Sequence, residues 1–108
     1  MFQNFLLTYS VKAQTTYSSD QEKAAKVRND IAELDCWAKQ EEVETTFSGR
    51  AYITGATDSE KKSSAKKEIE SQFLSILKKH DAHSDNVKIY CAMMIEKLDK
   101  PFEFIIKI

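Results

Sequence analysis

Glycine and proline are scarce in this sequence, with two Gly and one Pro among 108 residues. Glycine is needed where a backbone must approach a phosphate closely, so the Gly-rich loops of nucleotide- and dinucleotide-binding folds are excluded. Long flexible linkers, which are rich in glycine, serine and proline, are not expected either. The composition therefore predicts a single domain that spans residues 1–108.

Cysteine and histidine are also rare. Cys36 and Cys91 are too far apart to form a Cys-x-x-Cys pair or a zinc-binding set. His80 and His83 are three residues apart, but the sequence shows no carboxylate or thiolate cluster near them. A place at the end of a helix, where positive charge is favourable, is the preferred interpretation. We expect no metal and no cofactor.

Excess charge and long hydrophobic runs are absent as well. The net charge is -1, which argues against binding of nucleic acid by bulk electrostatics but leaves a local basic patch open. No apolar run approaches the ~20 residues that span a bilayer. The residues after Met1 include no basic segment and no cleavage site of the secretory type. We expect a cytoplasmic protein without membrane association.

The clearest positive signal is the segment from Asn86 to Ile95. Its side chains alternate with a period of two and include β-branched and aromatic types, which predicts a strand. Both faces of this strand are unusually apolar. One face is therefore expected to carry helices, and the other to be at least partly covered by something else.

Six further elements follow from periodicity and capping signals. Alternation predicts strands at residues 5–12 and 102–108. Amphipathic stripes predict one helix from about Asp20 to Leu34 and a second after Thr57, each with a Ser or Thr three residues before a Glu. Between the helices, Ser48-Gly49 is interpreted as the turn of a hairpin that pairs residues 45–47 with residues 50–52. The segment 37–47 is interpreted as the exposed first strand of that hairpin.

The order of these elements is strand, helix, strand, strand, helix, strand, followed by an additional strand. Two right-handed crossovers place both helices on one face of an antiparallel sheet. The predicted fold is therefore α+β, a ferredoxin-like βαββαβ sandwich with an additional C-terminal β-strand.

The helices can cover only one face of such a sheet. The other face is predicted to carry Leu6, Thr8, Ser10, Tyr90, Ala92 and Met94. One side of the last strand carries Phe102, Phe104, Ile106 and Ile108, and an uncovered apolar strand is an aggregation liability. We expect a homodimer with these four residues in its interface. The alternative is that the strand folds back onto its own sheet.

Residues with chemical potential are few. Glu41, Glu42 and Glu44 form a carboxylate run that suits a solvated strand better than acid–base catalysis. Arg50 could bind an anion or pair with Glu44 across the hairpin. Four aromatic residues at strand positions could stack on bases, although such residues more often pack in the core: Tyr9, Trp37, Tyr52 and Tyr90.

Segments 4–11 (NFLLTYSV), 37–39 (WAK) and 44–47 (ETTF), with a helix after the first and a closing strand, carry a resemblance. They resemble the small CRISPR-associated endoribonuclease superfamily, which includes antitoxin-type ribonucleases. The resemblance implies a ferredoxin-like dimer in which the last strand often joins the partner's sheet. Nucleases of that family typically carry an aspartate after the tyrosine of the first strand, where a metal ion is held. Ser10 stands at that position here and is a poor ligand for a hard cation.

The leading hypothesis is a small dimeric binding protein without a working metal site, whose partner is RNA or protein. Its candidate binding residues are Tyr9, Trp37, Arg50 and Tyr52. One alternative is a metal-independent endoribonuclease of the antitoxin type that uses Tyr9, Ser10, Lys12 or Arg50. Another is an inhibitor, borne by a phage or mobile element, that sequesters a host protein.

Overall fold

A computed structural model describes residues 1–40 and 45–108. In these ranges the chain forms an α+β fold with an antiparallel five-stranded sheet and two helices. The strand order across the sheet is β2-β3-β1-β4-β5. The strands are β1 (Phe2–Ala13), β2 (Ala38–Lys39), β3 (Thr46–Tyr52), β4 (Val87–Ile95) and β5 (Phe102–Ile106), and the helices are α1 (Ser18–Ala32) and α2 (Asp58–Lys79).

The two central strands, β1 and β4, show the predicted alternation. On β1 the buried side chains are those of the odd-numbered residues from Gln3 to Val11, and on β4 those of the odd-numbered residues from Val87 to Ile95. Because successive side chains of a strand point to opposite faces, one face of the sheet is in the core and the other faces outward. The strand predicted at residues 86–95 is confirmed.

Both helices pack on the buried face through the predicted stripes. Ala24, Val27 and Ile31 of α1 are fully buried, as are Ile69 and Phe73 of α2. Burying apolar surface of this kind is the main favourable term in folding, at about 25 cal/mol per Å². Within the described ranges, neither helix has an apolar stretch that could cross a bilayer.

One predicted helix cap is confirmed and the other is wrong. The Thr57 hydroxyl accepts a hydrogen bond from the backbone N–H of Glu60 at 3.2 Å, as its spacing indicated. The first helix instead begins after Tyr17, whose side chain forms no capping bond. Ser19 lies inside this helix. The Thr15 hydroxyl accepts from the Tyr17 N–H at 3.2 Å and also bonds Asp20.

The predicted hairpin turn at Ser48-Gly49 is wrong, because both residues lie inside β3. Gly49 is paired with Phe5 of β1. A Cβ atom at Gly49 would lie 3.0 Å from Trp37 Cδ1 and 3.1 Å from Phe5 Cζ, so the missing side chain makes room for two rings. The partner of β3 on its outer side is β2, with Ala38 opposite Ser48. The rest of the predicted strand, including Glu41, Glu42 and Glu44, lies largely outside the described residues.

The C-terminal strand extends the sheet of its own chain, which was the alternative to pairing with a second copy. Ile106 lies opposite Ile89 of β4 and is 1% exposed. Phe102 and Phe104 are half-buried against the core, whereas Ile108 lies beyond the strand and is exposed. The apolar side of β5 therefore faces the helices and needs no second copy to cover it.

Candidate binding face of the sheet

The side of the sheet away from the helices, called the open face below, has no covering layer among the described residues. It carries the even-numbered residues of β1 and β4, as predicted, with Leu6 45% and Met94 46% exposed. From β5 it adds Glu103 and Ile105, whose neighbours Phe104 and Ile106 point the other way.

Exposed apolar side chains are concentrated on the open face. Of the nine large exposed hydrophobic residues in the described ranges, six lie there: Phe2, Leu6, Tyr52, Tyr90, Met94 and Ile105. Single exposed apolar residues are normal on a protein surface, but a group of this size on one face is typical of an interaction site.

A groove of about 930 Å³ runs along one end of the open face, where β1, β4 and β5 lie side by side. Ser10, Tyr90 and Ile105 contribute to its lining from the three strands. The pairing explains their proximity, since Ser10 and Ile105 both lie opposite Tyr90. Glu103 of β5 and Lys66 of α2 also line the groove, so its walls carry charges of both signs.

Lysines border this groove. Lys12 of β1 lies directly opposite Lys88 of β4, with both side chains on the open face. Lys107 directly follows Ile106, the last residue of β5, and lines the groove together with Lys12. Lys12 Nζ lies 5.5 Å from the centre of the Tyr90 ring, a cation–π contact. One end of the face is therefore locally basic, although the chain has a net charge of -1.

The structure places Tyr9 and Trp37 away from the open face. Tyr9 is 4% exposed, and its ring stacks on Phe47 with 5.7 Å between centroids. Burial raises the pKa of the Tyr9 hydroxyl, while the charge of Arg28 partly opposes this effect. Trp37 is half-buried and packs edge-on against Phe5. Both rings contribute to the core on the helix side of the sheet.

Arg50 and Tyr52 do lie on the open face, but at its far end. Arg50 is opposite Asn4, and its guanidinium lies 5.6 Å from the Phe2 ring centre. Asn4 and Ser10 are six residues apart on β1, which corresponds to about 20 Å of extended strand. Arg50 is therefore remote from Ser10 and Lys12.

Tyr9, Ser10 and Lys12 all contribute to the lining of the groove, but the four candidate catalytic residues do not converge on one point. Tyr9 points to the helices, Ser10 and Lys12 share one end of the open face, and Arg50 occupies the other end. General acid–base chemistry requires groups within hydrogen-bond reach of one reacting atom. This arrangement does not provide such a group of four.

The histidines have carboxylate partners of their own. His80 Nε2 lies 2.7 Å from Asp30 Oδ2, and His83 Nε2 lies 2.7 Å from Asp81 Oδ1. In residues 1–40 and 45–108, no three His, Cys, Asp or Glu side chains form a group that could hold a metal ion. Ser10 lies on the open face opposite Tyr90, and neither residue of this pair carries a carboxylate that could bind a metal ion.

Sequence reasoning did not identify Lys88 and Lys107 as site residues. The alternation of side chains along a strand could have found them, because each is two residues from an open-face position, Tyr90 or Ile105. Alternation shows which face of the sheet a residue occupies, but not which residues of other strands lie beside it. Only the tertiary structure shows that Lys12 faces Lys88 and that Lys107 lines the same groove as Lys12.

Comparisons with known proteins identify no relative: no family model, no curated protein and no solved structure matches this chain. The geometry of the open face is therefore the basis for inferring function.

Proposed function

We propose that this chain is a small homodimeric binding protein that holds its partner, an RNA or a protein, against the open face of the sheet. The observation that carries the proposal is the concentration of exposed large hydrophobic residues on that face, six of the nine in the described ranges. Binding needs such a surface, whereas catalysis needs convergent polar groups. The activity proposed is binding without a metal ion.

The homodimer in this proposal forms through the outer edge of β5. In the strand order, β5 is the last strand, so its outer backbone groups have no neighbouring strand in the described part of the chain. Unpaired edges are templates for further strand pairing. An antiparallel pair of β5 strands joins two sheets with their open faces side by side. In this geometry side chains on both faces of β5 lie near the second copy, with Ile105 on the open face and Phe104 on the helix side.

We also propose that the fold is a ferredoxin-like sandwich with one additional strand, akin to the small CRISPR-associated endoribonuclease superfamily. The element order and the central position of β1 and β4 support this assignment. Ser10, at the position where nucleases of that superfamily carry an aspartate, supports a role in binding rather than in metal-dependent cleavage.

Sedimentation equilibrium tests the dimer. We expect a mass of twice 12.4 kDa at micromolar concentration. Ile105→Lys places a charge at the paired edge and should yield a monomer, because lysine is a common guard residue on edge strands. Tyr17→Lys, at an exposed site before α1, is the matched control and should leave the dimer intact. A wild-type chain that stays monomeric at hundreds of micromolar rejects the dimer.

Incubation with assorted RNAs, with and without Mg²⁺, tests the absence of catalysis. We expect intact RNA in both conditions. Reproducible cleavage that is lost in Ser10→Ala or Arg50→Ala would establish the endoribonuclease alternative and reject a purely binding role.

A further inference from the structure

Lys12, Lys88 and Lys107, called the lysine row below, lie at one end of the open face. Lys12 is directly opposite Lys88, and Lys107 follows the last residue of β5 and lines the same groove as Lys12. Paired residues of neighbouring strands have Cα atoms about 5 Å apart, so the Lys12 and Lys88 charges are close together. None of the three ammonium groups forms an ion pair with a side chain in residues 1–40 or 45–108.

Like charges that face each other across a strand pair are destabilising. The Lys12–Lys88 pair is one such case, and Lys107 adds a third charge in the groove that Lys12 lines. Glu103 is the acidic residue that β5 places on the open face. It lies opposite Ala92 and is four residues from Lys107 along the chain. A bound anion would relieve this repulsion, so the row is suited to a ligand that carries several negative charges.

We propose that the lysine row binds the phosphates of a single-stranded nucleic acid and that Tyr90 stacks on one of its bases. This inference rests on the proposed function, because it names the partner of the same open face. Tyr90 is 36% exposed and lies one row from the lysines, opposite Ser10 and Ile105. Basic grooves with an accessible aromatic ring are the usual means of binding single strands without sequence preference.

The surroundings favour a nucleic acid over a small anion or an acidic protein. The groove of about 930 Å³ is lined by Tyr90 and Ile105 beside Lys12, Lys107 and Glu103, so it offers apolar contacts that inorganic phosphate cannot use. Ser10 adds a hydroxyl that can donate to a phosphate oxygen or a base edge. A single strand is favoured over a duplex because its unstacked bases can reach the Tyr90 ring.

Fluorescence anisotropy with a labelled 12-nucleotide oligouridine tests the proposal. We expect saturable binding at 50 mM KCl that weakens about 20-fold at 200 mM, since three neutralised phosphates give a log–log slope near −2 for single strands. Replacing all three row residues by glutamine should weaken binding at 50 mM KCl about tenfold or more. Lys26, Lys67 and Lys78 lie on the helices, and their replacement by glutamine is the control with the same charge change.

Variants of Tyr90 test the stacking. Tyr90→Phe should bind as the wild type does, and Tyr90→Leu should bind at least about fivefold more weakly, which corresponds to the loss of one base–aromatic stack. If the triple-glutamine variant of the lysine row and the helix-lysine control lose equal affinity for oligouridine, the lysine row is not the binding site. Unchanged binding in Tyr90→Leu, with heparin as effective as oligouridine, would overturn the nucleic-acid assignment.

The dimer is measured separately, so the two proposals fail independently. Sedimentation of the wild-type chain decides the dimer without reference to oligouridine, so a monomer that binds oligouridine rejects the dimer and keeps the lysine row. A wild-type dimer that shows no anisotropy change up to 100 µM protein at 20 mM KCl rejects this inference and leaves a protein as the partner of the open face.

Discussion

His80 Nε2 lies 2.7 Å from Asp30 Oδ2, so the end of α2 is tied to the last turn of α1. Lys79 Nζ reaches the same carboxylate oxygen at 3.0 Å. The hydrogen bond from His80, followed by that from Lys79, lowers the pKa of Asp30 below its ordinary 3.8. His80 and Asp30 are therefore bonding partners that join the two helices.

The Asp30 contact predicts an acid-dependent contribution to stability. A carboxylate with a lowered pKa stabilises the fold fully above its ordinary pKa, and the contribution is lost as the pH falls through the lowered value. Asp30→Asn should therefore reduce the urea midpoint at pH 7, and the difference from wild type should disappear near pH 2. Asp85→Asn, at an exposed loop position, is the control. An equal loss at both pH values would contradict the prediction.

Two neighbouring leucines on β1 should differ sharply in their effect on stability. Leu7 is fully buried and Leu6 is 45% exposed on the open face. Leu7→Ala should cost about 2–5 kcal/mol of unfolding free energy, as buried leucine truncations do, whereas an exposed site usually changes by within about 0.5 kcal/mol. Urea denaturation followed by circular dichroism measures both. Comparable losses would mean that Leu6 is buried in solution.

Gly49 should tolerate no side chain without a cost. A Cβ atom there would lie 3.0 Å from Trp37 Cδ1, so the Trp37 and Phe5 rings must shift to admit it. Gly49→Ala is expected to destabilise the fold by about 1–3 kcal/mol, the usual range for overpacking. The emission of Trp37, the only tryptophan, should change with it. Arg50→Ala at the adjacent exposed position should leave the emission unchanged.

The two cysteines should differ in reactivity. Burial in the core raises the pKa of the Cys91 thiol to about 12, so its thiolate is almost absent at pH 8. Cys36 is exposed, although partial desolvation also raises its pKa. With iodoacetamide at pH 8, mass spectrometry should show one modification on the native chain, at Cys36, and two in urea. Cys36→Ser should abolish the native reaction.

Local pattern was informative where neighbours along the chain decide the outcome. Strand alternation and helix stripes follow from the geometry of each element, and the structure confirms them in β1, β4, α1 and α2. The Thr57 cap was predictable for the same reason, since its partner Glu60 is three residues away. Contacts at short separation in the chain can be inferred from spacing alone.

The errors occurred where distant residues override local preference. Ser48-Gly49 has the composition of a turn, but the Phe5 and Trp37 rings use the space at Gly49 and β3 continues through it. Ser19 has the spacing of a capping residue but lies inside α1. Its neighbour Asp20 is buried, and Asp20 Oδ1 accepts a hydrogen bond at 2.9 Å from the side chain of Asn86, 66 residues away. Tertiary contacts of this kind leave no local signal.

For the candidate site, the sequence by itself determined which residues of β1 and β4 share the face away from the helices, because the alternation of side chains is a property of the strand. The expected partial cover of that face is not found among the described residues. Only the tertiary structure decided that β5 pairs with β4 of its own chain, that Lys12 faces Lys88, and that Lys107 lines the same groove as Lys12. The physical reason is register. A shift of one residue between two strands changes every cross-strand pair, and packing of the whole core selects one register.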